Sequence, residues 1–130
     1  MGQQQLLLIV LGVIIVGIAV VVGINVFTAS SLQANNNAVI ADLTTIGSMA
    51  QQHYRKPTAM GGGGNTFTGF GIPASLEQTA NGTYAITTPG AQTLTLTGIG
   101  TEVNDAADSL TITMDITPIG MENVVTNVND

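Results

Sequence analysis

The chain has no cysteine, few cationic side chains, and no charged side chain of either sign before Asp42. The absence of cysteine excludes disulfide bonds and thiolate chemistry. Arg55 and Lys56 are the only lysine or arginine residues, and the net charge is −6. Nucleic-acid phosphates require lysine and arginine. We therefore expect a chain that binds no nucleic acid.

An uncharged apolar run, Leu6 to Ile24, fills most of the N-terminal part and contains only aliphatic residues, alanine and three glycines. As an α-helix, these roughly nineteen residues rise about 28 Å, close to the ~30 Å hydrocarbon thickness of a bilayer. No polar stripe interrupts the run, and no basic residue precedes it, as one would in a cleaved secretory signal. The run predicts a membrane-spanning helix.

The stretch from Asn25 to Lys56 continues the helical pattern and contains no proline. One face carries apolar residues at spacings of three, four and seven: Leu32, Val39, Leu43, Ile46 and Ala50. We predict a single helix from about Gln3 to Lys56, with residues 1–24 forming the membrane or filament-core part and residues 25–56 the amphipathic part. Pro57 ends it, and Arg55 and Lys56 can complement the negative end of its dipole.

Residues 57–82 are rich in glycine, including Gly61 to Gly64 and the Asn81-Gly82 pair, which predicts a flexible connector without regular structure. In residues 83–130 the apolar period changes to two. We expect strands around residues 84–86, 92–97 and 110–117, with 124–128 as a fourth. Their buried face is predicted to carry Leu94, Leu96, Leu110, Ile112, Met114 and Ile116, packed on Val39, Leu43, Ile46 and Ala50. The fold class is α+β: one long helix with a small antiparallel sheet of three or four strands on its outer half.

This layout resembles the type IV pilin family, in which an apolar N-terminal helix continues as an amphipathic helix and a small sheet follows. The segment from Met1 to Val10, MGQQQLLLIV, is similar to the family's N-terminal signature, and Gln5 stands where the family has a glutamate. We favour Met1 as the first residue of a processed chain. The alternative is that Met1-Gly2 is a leader remnant and that Leu7 takes the glutamate position. Gln5 can accept a hydrogen bond from a neighbour's amine but cannot neutralise it.

The resemblance implies a non-enzymatic subunit that inserts in the inner, cytoplasmic membrane and then polymerises with itself into a surface filament for adhesion or motility. Its partners would be other copies and the pilus assembly machinery, and no cofactor is expected. The residues expected to carry filament assembly are Met1, Gln5, Leu6, Leu7, Leu8, Ile9, Val10, Leu11, Val13, Ile14, Ile15, Val16, Ile18, Ala19 and Gly23. Alternatives are a minor pseudopilin of a secretion apparatus, an archaeal-type filament subunit, and a monomeric membrane-anchored binding module.

Other candidate sites give weaker signals. His53 has no serine or acid pairing, so we interpret it as a surface or helix-end group and expect no catalytic site. The acidic cluster of Glu102, Asn104, Asp105 and Asp108 lacks the EF-hand pattern and is interpreted as a solvated loop, with calcium binding as the alternative. Asn81 begins an Asn-Gly-Thr sequon and is a possible glycosylation site.

Overall fold

The computed structural model describes residues 2–103 and 107–128. Along the chain it contains α1 (Gly2–Arg55), a 3-10 turn (Thr58–Met60), α2 (Ala74–Glu77), β1 (Gly82–Pro89), β2 (Leu94–Val103), β3 (Ser109–Thr117) and β4 (Gly120–Val128). The α+β class predicted from the sequence is confirmed. Two compact units divide the chain, Met1–Ser31 and Leu32–Asp130, and we refer to them as the N-terminal unit and the sheet unit.

Helix α1 has the extent expected from the apolar pattern. It runs without interruption from Gly2 to Arg55, two residues before Pro57. A residue that precedes proline is disfavoured in the α conformation, which explains the end of the helix there. Gly12, Gly17 and Gly23 weaken a helix in water by about 1 kcal/mol each relative to alanine, yet none of them breaks α1.

The four strands form one antiparallel sheet in the order β1-β2-β3-β4, so each strand pairs with its sequence neighbour. The fourth strand is confirmed and begins at Gly120, earlier than the predicted residue 124. Strand β2 extends to Val103, well beyond the predicted Thr97. Gly98 and Gly100 concealed this extension because they occupy the buried positions where the alternating pattern would place aliphatic residues.

The core of the sheet unit lies between α1 and one face of the sheet. Every residue predicted for this contact is buried: Val39, Leu43, Ile46 and Ala50 on the helix, and Leu94, Leu96, Leu110, Ile112, Met114 and Ile116 on the sheet. Phe67 and Tyr84, which the sequence did not single out, complete it. Helix and sheet approach closely at Gly47. A Cβ added there would lie only 2.7 Å from Ile116 Cδ1. The predicted alternation, in which every second side chain of β2 and β3 faces the core, is confirmed.

Substitutions at neighbouring positions of β3 test in solution which side chains face the core. Ile112→Asp places an unpaired carboxylate in the core and is expected to unfold the sheet unit, whereas Thr113→Asp, on the half-buried opposite face, is expected to leave the fold intact. Circular dichroism during thermal unfolding measures both variants. Equal loss of structure in the two would contradict the two-layer packing.

The glycine run Gly61 to Gly64 is an ordered cap on α1, which corrects its interpretation as a flexible connector. The N–H of Gly63 donates to His53 O at 2.8 Å, and the N–H of Gly64 donates to Lys56 O at 3.0 Å. The next N–H, of Asn65, donates to Tyr54 O at 2.8 Å. Two of the carbonyls that a helix leaves unpaired at its C-terminus, and the carbonyl of Lys56 just beyond α1, are therefore satisfied by the backbone of the loop.

Glycine is required in this cap for steric reasons. A Cβ at Gly63 would collide with the carbonyl oxygen of Thr66, and Gly64 has a φ of +60°. The rest of the loop also departs from the prediction, since residues 57–82 contain the 3-10 turn and the single helical turn α2. Pro57 and Pro73, each directly before one of these turns, supply the fixed φ that favours a helical start.

Alanine substitutions distinguish an ordered cap from a connector. We expect Gly63→Ala to lower the free energy of unfolding of the sheet unit by about 1–3 kcal/mol, the usual range for a forced steric clash. Gly71→Ala is the matched control, because no atom lies within 4 Å of its added Cβ and its φ is ordinary. Urea denaturation measures both, and equal stability of the two variants would show that the cap is dispensable.

Candidate assembly surface

The N-terminal unit presents apolar side chains on all sides of α1. Every large hydrophobic residue from Leu6 to Phe27 is between 53% and 75% exposed. The members of this surface, which we call the apolar sleeve, are Leu6, Leu7, Leu8, Ile9, Val10, Leu11, Val13, Ile14, Ile15, Val16, Ile18, Val20, Val21, Val22, Ile24, Val26 and Phe27. Exposed apolar surface of this extent is unfavourable in water and marks a membrane or protein interaction site.

Three of the remaining residues predicted for assembly lie on the same surface. Gln5, Ala19 and Gly23 are exposed on α1, and Met1 lies outside the described residues. No side chain covers the three glycines of the run, since nothing lies within 4 Å of a Cβ added to any of them. By length and composition, α1 can cross a membrane.

In the sheet unit, Asp42 is the centre of a polar cluster that sequence reasoning missed. Its Oδ2 accepts hydrogen bonds from the hydroxyl of Tyr84 at 2.6 Å, the hydroxyl of Thr79 at 3.0 Å and Nδ2 of Asn81 at 3.1 Å. The three donors come from β1 and the segment just before it, so the first charged side chain of the protein joins α1 to the edge of the sheet. The sequence contained one indication of this position. Asp42 follows Val39 by three residues and precedes Ile46 by four, which places it on the same face of α1 as these two core residues.

The cluster changes the acidity of both partners in the shortest hydrogen bond. Partial burial alone would raise the pKa of Asp42, but the hydrogen bonds from Tyr84, Asn81 and Thr79 outweigh it and hold that pKa below its usual value. Burial, together with the hydrogen bond to Asp42, raises the pKa of Tyr84 to about 12. The depressed pKa of Asp42 stabilises the fold above the unfolded value of about 4, and this contribution is lost as the pH falls through the folded pKa.

A second polar contact joins α1 to the sheet nearer the start of the unit. Asn35 is 7% exposed, its Nδ2 donates to Asn81 O at 2.9 Å, and its Oδ1 accepts from the N–H of Glu102 at 3.3 Å. A Cβ on Gly100 would collide with Asn35 Oδ1, so glycine makes room for this amide. Buried amides with both ends bonded fix the register of packed elements.

The sequon residue Asn81 is half-buried within these contacts. Its side-chain nitrogen, the atom to which an N-linked glycan would attach, donates to Asp42, and its carbonyl accepts from Asn35. Glycosylation at Asn81 therefore stays a prediction, and in the folded unit it would have to replace the bond to Asp42.

The other candidate residues that the structure describes do not come together in one site. His53 lies against Phe70, with ring centroids 5.6 Å apart, and its Nε2 is 3.4 Å from Thr68 O. Of the acidic cluster, Asn104 and Asp105 lie outside the described residues. Within residues 2–103 and 107–128, no three histidine, cysteine, aspartate or glutamate side chains are grouped so that they could hold a metal ion.

Comparisons with protein-family models, with curated proteins and with solved structures found no match to this chain.

The Asp42 cluster predicts a distinctive alkaline response. At neutral pH, Tyr84→Phe should lower the free energy of unfolding by about 1.5–3 kcal/mol, the range for a hydrogen bond to a charged acceptor. An unfolded tyrosine ionises near pH 10, whereas folded Tyr84 does so at about 12. The difference in the free energy of unfolding between wild type and Tyr84→Phe should thus be fully present below pH 10 and decline as the pH rises toward 12. Denaturation of both proteins across this range measures it, and a constant difference up to pH 12 would contradict the bond.

Proposed function

We propose that this protein is the structural subunit of a helical surface filament similar to a type IV pilus, and that it polymerises through the apolar sleeve. The observation that carries the proposal is the sleeve itself, whose large side chains are all at least 53% exposed on an uninterrupted α1. A surface of this kind must be covered by lipid or by protein. Packing many copies around one axis covers it without a membrane.

The energy available is sufficient for a non-covalent polymer. Each buried leucine, isoleucine or valine side chain contributes roughly 1.5–3 kcal/mol, and the sleeve contains more than a dozen of them. The absence of charged side chains before Asp42 supports the same proposal, because no side-chain ion would need to be desolvated when these helices pack together.

Continuity of α1 favours a filament over a simple membrane anchor. An anchor for a binding module needs no particular connection to it, and a flexible linker suffices. Here the helix that forms the sleeve continues as the helix that packs on the sheet. The sequence on either side of the Ser31–Leu32 boundary contains no glycine- or proline-rich linker. We propose that the subunit first resides in the cytoplasmic membrane, is transferred by an assembly machinery, and serves adhesion or motility on the cell surface.

Electron microscopy of material sheared from cells, with mass spectrometry of the subunit, tests the proposal. Filaments composed mainly of this chain are expected. A protein found only as a detergent-dispersed monomer in the membrane fraction would instead identify a membrane-anchored module. Short assemblies confined to a secretion apparatus would identify a pseudopilin.

Removal of the sleeve should abolish polymerisation but preserve the fold. A chain that begins at Asn25 retains the whole sheet unit and loses most of the sleeve, so we expect it to be soluble, monomeric and folded. Size-exclusion chromatography and circular dichroism measure these properties. Filaments from the truncated chain would show that the sheet unit, not α1, holds the polymer together.

Gln5 is expected to contribute a single hydrogen bond to assembly. Gln5→Leu should weaken assembly by about 0.5–1.5 kcal/mol, the net value of one hydrogen bond, with little pH dependence between about 4 and 8, because an amide does not titrate there. Gln4→Leu, a neighbouring exposed amide, is the matched control and should have a smaller effect. Complete loss of filaments at normal protein level would give Gln5 a larger role.

A further inference from the structure

The only two lysine or arginine side chains of this acidic chain lie together at the end of α1. Arg55 reaches back to its own chain, with Nη2 3.4 Å from Pro118 O. Lys56 is exposed, and within the described residues its ammonium group has no hydrogen-bond or ion-pair partner. A single uncompensated ammonium on a chain of net charge −6 is an evident point of attraction for a carboxylate of another molecule.

Capping of the helix does not account for Lys56. Cations are common at helix C-termini because the last carbonyls are unpaired there. In this protein the N–H groups of Gly63 and Asn65 already satisfy the carbonyls of His53 and Tyr54 in the last turn, and the N–H of Gly64 satisfies the carbonyl of Lys56 itself. The lysine side chain is therefore available for another contact.

Lys56 borders a shallow pocket of about 270 Å³ whose lining includes apolar groups of Met49 and Phe70. The remaining residues of the lining are Gln52, His53, Gly61 and Gly71. The end of the sheet unit near α1's C-terminus thus offers a concave surface with one positive charge at its border. Its complement would be a small convex segment with an apolar side chain next to a carboxylate.

A carboxylate next to an exposed apolar side chain lies at the opposite end of the same unit. Glu102 and Val103 are adjacent at the end of β2, Glu102 is exposed, and Val103 is 44% exposed. Hydrogen bonds place this end beside Asn35 of α1, whereas Gln51 of α1 bonds to Thr117 O near the pocket end. Asn35 and Gln51 are about 24 Å apart along the helix axis, at 1.5 Å per residue, so the two surfaces cannot meet within one copy.

We infer that Glu102-Val103 of one copy docks at the Lys56 pocket of the next copy along the filament, an inference that rests on the proposed function. Two different surfaces at opposite ends of a unit form a head-to-tail contact, which gives an open helical polymer when the rotation between copies does not close into a ring. The apolar sleeve provides affinity but few directional contacts. The contact between Lys56 and Glu102 would fix the axial register of neighbouring copies, since charge complementarity confers specificity more than affinity.

Charge reversal in the full-length chain tests the contact. The measured quantity is the concentration of subunit left unassembled when detergent is diluted from the purified protein. Lys56→Glu and Glu102→Lys, each alone, should raise it about 2- to 10-fold, as expected for losing an exposed ion pair and gaining a repulsion. The double variant, and an equimolar mixture of the two single variants, should both return to within about twofold of wild type.

Glu77→Lys is the matched control, because it makes the same charge change at an exposed residue of α2 outside both surfaces. It should neither weaken wild-type assembly nor rescue Lys56→Glu. Unchanged assembly of both single variants, or failure of the double variant and the mixture to recover, would overturn the contact while leaving wild-type filaments intact. Absence of filaments from the wild-type chain would instead contradict the proposed function.

Discussion

The apolar sleeve is the constraint on which this protein depends, because it stays exposed to solvent along the described part of the chain. Its large side chains from Leu6 to Phe27 are all more than half exposed, and the described core lies entirely within the sheet unit. Leaving this much apolar surface in contact with water is strongly unfavourable. Lipid and protein are the environments that can cover it, and in the proposed filament other copies of this chain supply the second.

The sheet unit is suited to such a helix because α1 supplies one complete layer of its core. Glycines at Gly47, Gly98 and Gly100 allow close approach of helix and sheet, while Asp42 and Asn35 fix their register with hydrogen bonds. The backbone of the glycine loop then caps the last turn. The final part of α1 is thereby held by packing, by polar contacts and by its own cap.

Much of this arrangement could be predicted from the sequence, since hydrophobic period is a strong signal. The alternation of buried residues along the strands and ten residues of the helix–sheet contact followed from spacing, and the end of α1 followed from Pro57. The end of β2 and the glycine cap did not, because glycine has no side chain to display a pattern and its role depends on distant atoms such as Thr66 O and Asn35 Oδ1. The Asp42 cluster was missed because its donors are 37 to 42 residues away.

Thiol labelling of membrane-free filaments tests the central claim most directly. The chain has no cysteine, so a single substitution introduces a single thiol. Ala19→Cys places it among the residues of the apolar sleeve, and Ala85→Cys places it at an exposed position of β1. A water-soluble maleimide should label Cys at position 85 readily in sheared, lipid-free filaments and leave position 19 unlabelled until the filaments are dissociated. Equal labelling of both positions in intact filaments would contradict burial of the sleeve between copies.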